Sequence, residues 1–204
     1  MMIKKLKTYL NHQRFLLKEK KDRKKIGSLF NAFDDLNVIF VHIPKTAGMS
    51  IVYSLFKTTG GHRSALFLKE VFDADFDKYF KFAFVRNPWD RLYSAYRFLV
   101  KEGVNQHDKN AFNQHLKKSD SFEDFVLNYL SKKHILELVH FQTQSSFLLD
   151  DSNNILVDFI GRYEDLNKDF QHISCYLNIK VELPHINKTS DKVDYRSVYT
   201  DEMK

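Results

Sequence analysis

Two short segments contain residues of the types that bind anions, and the first follows an apolar run. The sequence VIFVHIPKTAGMS over residues 38–50 places Lys45, Ala47 and Gly48 where a buried strand gives way to a helix. Backbone N–H groups at a helix N-terminus attract an anion, small residues let it approach closely, and a lysine adds a full positive charge. The lysine precedes the glycine, unlike in the G-x-x-x-x-G-K-[ST] loop. The segment therefore predicts an oxyanion site and disfavours hydrolysis of nucleoside triphosphates.

The second segment, FAFVRNPWDRLYSAY over residues 82–96, places Arg86 at the end of another apolar strand. The Asn-Pro pair at 87–88 is suited to begin a helix, and Ser94 follows two turns later. An arginine fork beside a hydroxyl suits a terminal phosphate better than a lysine point charge does. We therefore predict a second anion pocket here, and the alternative is a structural capping role for Arg86 and Ser94.

The elements that must position these residues alternate along the chain. Alternation of apolar runs with amphipathic segments predicts an α/β fold whose central parallel sheet is flanked by helices and binds its ligand at the carboxyl ends of the strands. The predicted strands cover 38–42, 81–85 and 155–161, the helices about 49–56, 64–72, 88–99, 121–130 and 164–179, the loops 27–35 and 101–120, and the tail is mostly irregular.

The composition favours one globular domain that follows a basic leader. The 204 residues are 43% hydrophobic, enough for one substantial core, and residues 1–25 hold ten lysines and arginines against two acidic residues. We divide the chain into a basic helical leader and loop at 1–36 and a single α/β domain at 37–204. The leader is expected to be a solvated helix with an apolar stripe formed by Ile3, Leu6, Leu10 and Leu17. Contact with an anionic membrane is the alternative.

Other features set expectations about the environment of the protein. No run approaches the roughly 18 apolar residues of a membrane span, and residues 1–25 lack an apolar core of a signal peptide. We expect a cytoplasmic protein, with any membrane contact peripheral, at the inner face and through the leader. The leader lacks the interleaved aromatic residues of a nucleic-acid surface, so no nucleic-acid partner is expected. Cys175 is the single cysteine and is expected on a buried helix face. The oligomeric state is left open.

HIPKTAGMS and FVRNPWDRLYSAY resemble the 5′-phosphosulfate and 3′-phosphate signatures of sulfotransferases that use 3′-phosphoadenosine-5′-phosphosulfate (PAPS), in the branch that modifies carbohydrates. The similarity continues through VDFIGRYEDLNKDF and LPHINKTS, so it covers roughly residues 37–200. It implies a three-layer, P-loop-like sandwich. Met49 stands where the family commonly has threonine. The chain ends at Lys204 where relatives usually continue into a further helix, so the domain is expected to lack that helix.

The resemblance also implies roles for individual residues. Lys45 would neutralise the bridging oxygen of the leaving nucleotide, and Arg86 with Ser94 would bind the 3′-phosphate. His62, in a loop after two glycines, is the candidate general base for the acceptor hydroxyl, against the alternative of a solvated loop histidine. The nucleotide site is expected to comprise Pro44, Lys45, Thr46, Ala47, Gly48, Met49, Ser50, Arg86, Ser94, Lys188, Thr189 and Ser190, and the acceptor site His62, His140 and Gln144.

These residues together favour a transferase that moves a sulfuryl group from PAPS to a hydroxyl of a carbohydrate or glycan, as in polysaccharide modification. Such a reaction passes through an in-line displacement and is expected to need no metal. Two alternatives stay open: a small-molecule kinase with a nonstandard phosphate loop, and a non-catalytic module that binds a nucleotide or a glycan. Asp90 with Arg91, and Arg162 with Glu164, are expected to form structural ion pairs.

Overall fold

A computed structural model describes residues 2–101, 103–184 and 193–204. At its centre lies a three-stranded sheet in the order β1-β2-β3, formed by Val38–Val41, Phe80–Val85 and Phe159–Arg162. Both pairings are parallel, so the three strands end at the same edge. The predicted α/β fold with a parallel sheet flanked by helices is confirmed, whereas the P-loop-like layering stays a prediction.

Helices surround this sheet and occupy most of the remaining described chain. They are α1 (Met2–Arg23), α2 (Leu29–Leu36), α3 (Gly48–Phe56), α4 (Ala65–Phe72), α5 (Pro88–Val100), α6 (Gln106–Ala111), α7 (Phe122–Asn128), α8 (Lys133–Leu136), α9 (Ser145–Leu148) and α10 (Leu166–Tyr176). Short 3₁₀ turns occur at Asp73–Asp75, Tyr163–Asp165 and Tyr195–Val198. No helix in the described ranges has the length and apolar character needed to cross a membrane.

Local sequence explains why the two site-bearing strands lead directly into helices. All four residues of β1 are buried, as expected of an apolar strand in a parallel sheet. After β2, the Asn87 side chain accepts hydrogen bonds from the N–H groups of Trp89 and Asp90, and Pro88 occupies the first helical position. The predicted start of α5 is therefore confirmed, and the helix runs to Val100.

The prediction of a loop over residues 27–35 was wrong, because these residues form most of α2. Ser28 caps the helix by accepting from the N–H of Asn31, and Asn37 ends it in the left-handed conformation. Phe30 and Phe33 face the core from one side, where Phe33 packs edge-on against Phe56 at 4.8 Å. The apolar spacing is helical, but the clustered Asn and Asp residues obscured it.

The leader is one long helix, as predicted, and a different set of its residues packs on the protein. Leu6, Leu10 and Leu17 are exposed, whereas Leu16 and Glu19 are buried against the rest of the protein. At the end of α1, Arg23 donates to the carboxylates of Asp34 and Asp75. The side chain of Ile3 lies outside the described part.

Several other expectations also need correction. The presumed loop over residues 101–120 contains α6 and a π-helical turn at Phe112–Leu116. The third strand begins at Phe159 rather than at 155. Cys175 is exposed rather than buried, because α10 turns its Phe170 and Ile173 side toward the sheet.

Candidate functional site

The loop after β1 is shaped so that its backbone can receive an anion. Lys45 and Ala47 both have positive φ angles, 69° and 64°, on either side of Thr46. Such alternation of backbone handedness turns successive N–H groups toward one concave side. Ala47 is the N-cap of α3 and makes no side-chain capping bond, so the first turn keeps unused N–H donors. The loop therefore has the backbone chemistry of an oxyanion site.

Side chains in this loop have different tasks. Thr46 is fully buried, and its hydroxyl donates to the carbonyl of Ile43. Ser50 is buried in the first turn of α3, whereas Met49 is exposed. Gly48 is required by packing, since a Cβ there would lie 1.9 Å from the His42 imidazole. The predicted loop residues are thus brought together, and their contact with a nucleotide stays a prediction.

Lys45 points into a buried, partly aromatic environment. Its Nζ lies 3.9 Å from the centre of the Phe98 ring, and no carboxylate of the described residues forms an ion pair with it. The pKa of the Lys45 ammonium is lowered to about 8, mainly by burial and also by the nearby Arg86, while Asp108 acts in the opposite direction. A lysine held in this way has unused charge and hydrogen-bonding capacity for an incoming anion.

Arg86 connects the ends of the two site-bearing strands. Its Nε and Nη2 donate to the two carboxylate oxygens of Asp90, each at 2.8 Å, and its Nη1 donates to the carbonyl of Lys45 at 3.1 Å. The guanidinium also stacks over the Tyr163 ring at 4.0 Å. A guanidinium has five N–H donors, and these bonds use three of them. Arg86 therefore holds the loop after β1 against β2 and retains two donors for a phosphate.

The predicted ion pair between Asp90 and Arg91 was wrong, because Asp90 pairs with Arg86 instead. Arg91 is buried and donates to the carbonyls of Pro44, His140 and Gln142. It thereby ties the loop after β1 to the segment before α9. In place of the predicted pair of Arg162 with Glu164, the Glu164 carboxylate accepts from the N–H of Asn87 at 2.6 Å.

His62 lies beside the end of β1 in an orientation that fixes its tautomer. Its Nδ1 is 3.0 Å from the carbonyl oxygen of His42, and a carbonyl can only accept, so Nδ1 carries the proton. Nε2 of the neutral ring is therefore the basic nitrogen. Burial lowers the pKa of His62, Arg63 and Lys45 lower it too, and the bond to His42 and the charge of Asp108 act in the opposite direction. The ring is thus neutral near pH 7 and able to accept a proton.

The other two residues predicted to contact the acceptor, His140 and Gln144, lie in different surroundings. The His140 ring lies 6.1 Å from that of His62 and 5.3 Å from that of Phe98, so it belongs to the same cluster. Burial lowers the pKa of His140 to about 4. Gln144 uses its amide for the backbone of Arg86, accepting from the N–H at 2.9 Å and donating to the carbonyl at 2.8 Å. Its observed task is to hold the end of β2.

The remaining predicted residues are Ser94 and the three residues at 188–190. Ser94 is half-buried on α5, two turns after Arg86. Lys188, Thr189 and Ser190 lie outside the described residues. Asp108 and Phe98 were missed by the sequence reasoning, because Asp108 lies in a polar stretch that resembles a loop and Phe98 in an ordinary helical pattern. In the described part of the chain, no three His, Cys, Asp or Glu side chains are grouped so as to hold a metal ion.

The two strand ends thus lie side by side, with the loop that contains Lys45 on one side and the helix start held by Arg86 on the other. The chain matches the sulfotransferase family over residues 28–202, a range that includes every site residue described above. The chain belongs to the sulfotransferase family. The match begins before β1, in agreement with the contribution of α2 to the core.

Individual relatives match only part of the chain, at modest sequence identity. It is 35% identical to carbohydrate sulfotransferase 11 of Rattus norvegicus over 112 residues, 47% of this chain and 32% of the rat protein, and the Mus musculus protein gives the same figures. The matched part therefore spans about a third of the length of these relatives. An uncharacterized protein of Archaeoglobus fulgidus is 32% identical over 124 residues, 60% of this chain and 88% of that protein. No solved structure matches the chain significantly.

Proposed function

We propose that this protein transfers a sulfuryl group from PAPS to a hydroxyl group of a carbohydrate. The observation that carries the proposal is the bond from Arg86 Nη1 to the Lys45 carbonyl, at 3.1 Å, which places two anion-binding strand ends side by side. PAPS has a phosphosulfate at the 5′ position and a phosphate at the 3′ position, so it needs two such sites at a fixed separation. The carbohydrate sulfotransferases among the relatives support a sugar as the acceptor.

In this proposal the loop after β1 binds the phosphosulfate. The first N–H groups of α3 and the Lys45 ammonium neutralise its oxygens, and the remaining donors of Arg86, with the Ser94 hydroxyl, bind the 3′-phosphate. The Lys45 ammonium is the group whose interaction with the donor changes most during the reaction. As the bond from sulfur to the bridging oxygen breaks, negative charge grows on that oxygen, and a buried cation stabilises it more than water would.

The acceptor step needs a base, and His62 is suited to it. The acceptor hydroxyl oxygen forms a bond to sulfur while the bond from sulfur to the bridging oxygen breaks. The hydroxyl proton passes to His62 Nε2, and adenosine 3′,5′-bisphosphate leaves with the bridging oxygen. The bond from Nδ1 to the His42 carbonyl supports the imidazolium that results, because that carbonyl accepts from a charged donor more strongly.

Nucleotide preference and labelled transfer test the proposed function. We expect adenosine 3′,5′-bisphosphate to raise the melting temperature, and ATP with magnesium to have a much smaller effect, because ATP lacks a 3′-phosphate for the Arg86 side. With labelled PAPS, label should move to sugars in an acceptor panel. Stabilisation by ATP with magnesium alone would support a kinase instead. Tight binding of the bisphosphate with no transfer to any acceptor would support a non-catalytic module.

Arg86 should set selectivity for the 3′-phosphate. Replacing Arg86 with lysine removes the planar fork, so we expect affinity for adenosine 3′,5′-bisphosphate to fall by about 10–100-fold, the value of one or two charge-assisted hydrogen bonds. Affinity for adenosine 5′-phosphate should change much less. Calorimetric titration of both nucleotides measures this difference. Arg162→Lys, an exposed arginine at the end of β3, is the control. Equal losses for the two nucleotides would contradict the assignment.

A further inference from the structure

The site contains a buried carboxylate that the proposed reaction does not use. Asp108, on α6, is 5% exposed, and buried carboxylates are rare unless they are paired. Its Oδ2 accepts from the N–H of Val104 at 3.1 Å, and its Oδ1 lies 3.8 Å from Nε2 of His140. The carboxylate is thus held by the backbone on one side and faces an imidazole on the other.

The backbone around α6 is arranged to fix this carboxylate in place. Gly103 has a φ of 60°, and a Cβ there would lie 2.1 Å from the Cβ of Asp108, so the close approach requires glycine. The Asn105 side chain caps α6 by accepting from the N–H of Asp108 at 3.0 Å. These features position the carboxylate from within its own segment, independently of the site.

A continuous series of contacts joins this carboxylate to Lys45. The Lys45 Nζ lies over Phe98 at 3.9 Å, the Phe98 and His140 rings are 5.3 Å apart, and His140 faces Asp108. The charged and titratable groups that face the cluster from the surrounding elements are His42 and Lys45 after β1, His62 and Arg63 after α3, Arg86 at the end of β2, Arg91 on α5, His140 before α9 and Asp108 on α6.

The balance of charge in this cluster depends on Asp108. Burial lowers the pKa of Lys45, of His62 and of His140, and Asp108 is the group in the described chain whose negative charge raises all three. Asp90 is the nearby alternative, but both its oxygens are bound by Arg86. Without Asp108 the described cluster would contain the buried guanidinium of Arg91 and the half-buried cations of Arg86 and Lys45, with no free carboxylate facing them.

We propose that Asp108 is a positioning residue of this site, whose buried carboxylate beside His140 keeps the Lys45 ammonium protonated. Its consequence for turnover rests on the proposed sulfuryl transfer, whereas its effect on Lys45 does not. Lys45 neutralises the leaving oxygen only while it carries a proton. Asp108 therefore extends the pH range of the site upward, without touching the nucleotide or the acceptor.

Titration of Lys45 tests this role directly. In protein labelled with ¹³C-lysine, the Lys45 Cε signal, assigned by its loss in Lys45→Arg, should titrate near pH 8 in the wild type. In Asp108→Asn the midpoint should move down by about half a pH unit or more, because a nearby negative charge has been removed. Asp120→Asn, an exposed substitution on the same segment with the same change in charge, should leave it in place. An unmoved midpoint in Asp108→Asn overturns the proposal.

Turnover supplies the second measurement and separates the two proposals. In Asp108→Asn the alkaline limb of the pH profile should move down together with the Lys45 midpoint, whereas a purely structural defect would lower the rate equally at every pH. Failure of the wild type to transfer sulfuryl groups would contradict the proposed function and leave the titration as the test of Asp108. Asp108→Ser, which retains an oxygen for the Val104 N–H, replaces the Asn variant if that does not fold. Loss of folding in both would show a structural role and overturn the proposal.

Discussion

Replacing Lys45 with methionine should reduce sulfuryl transfer by at least about a thousandfold while the protein stays folded. The ammonium is the cation that this loop presents to the leaving oxygen, and methionine fills a similar volume without charge. The side chain already lies against Phe98, at 3.9 Å, so an apolar replacement suits its surroundings. Steady-state rates with labelled PAPS measure the loss, and circular dichroism with a thermal melt checks the fold.

The same substitution should change how stability depends on pH. Burial lowers the folded-state pKa of Lys45 to about 8 from its ordinary 10.5, so between these values the unfolded chain binds more protons than the folded one. The contribution of this group to stability therefore rises with pH across that window, and the Lys45→Met protein should show a smaller rise. Near pH 7 the Lys45→Met protein should have a melting temperature at or above that of the wild type. Lys57→Met, an exposed lysine at the end of α3, is the matched control. A folded Lys45→Met protein with normal turnover would refute the assigned role.

Replacing His62 with asparagine should lower turnover by about 10²–10⁴-fold and remove the acidic limb of the pH profile. The asparagine amide can still donate to the His42 carbonyl, so the loop should keep its shape, but it has no basic nitrogen. In the wild type, turnover should fall as the pH drops through the pKa of His62, which burial holds below 6.5. Pre-steady-state rates between pH 4.5 and 9 test both points.

The experiment on His62 needs its own reference. His134→Asn changes an exposed histidine on α8 and should leave rate and profile unaltered. Nucleotide affinity should also be retained in His62→Asn, since the proposed base faces the acceptor rather than the donor. An unchanged pH profile in His62→Asn would exclude the general-base role. The search for a base would then move to His140, which shares the cluster.

The ends of β1 and β2 could be placed from sequence because their signals are local. A strand buried on both faces is a continuous apolar run, and Asn87 with Pro88 marks a helix start through its own backbone geometry. The loop at 44–50 follows from the same reasoning, since its lysine and small residues stand between such a strand and α3. Parallel pairing then brings the two ends to one edge of the sheet.

Local sequence patterns gave wrong or incomplete predictions where polar residues cap a helix or bond to a distant segment. The residues of α2 were interpreted as a loop because Asn and Asp are typical of turns, yet Ser28 and Asn37 are the caps of a helix whose aromatic face is buried. The assignment of Gln144 to the acceptor stays a prediction, and the sequence did not show that its amide bonds to the backbone of Arg86, 58 positions earlier. A sequence does not show which distant backbone group a polar side chain will meet.

Local sequence was enough to predict two turns with anion-binding residue types after buried strands, because strand burial, helix capping and small-residue loops are properties of a few neighbouring residues. The folded structure was needed to show that Arg86 bonds to the Lys45 carbonyl and pairs with Asp90, and that Asp108 faces His140 within the same cluster. These contacts join segments far apart in the chain. Their strength depends on burial and separation in space, which sequence spacing does not encode.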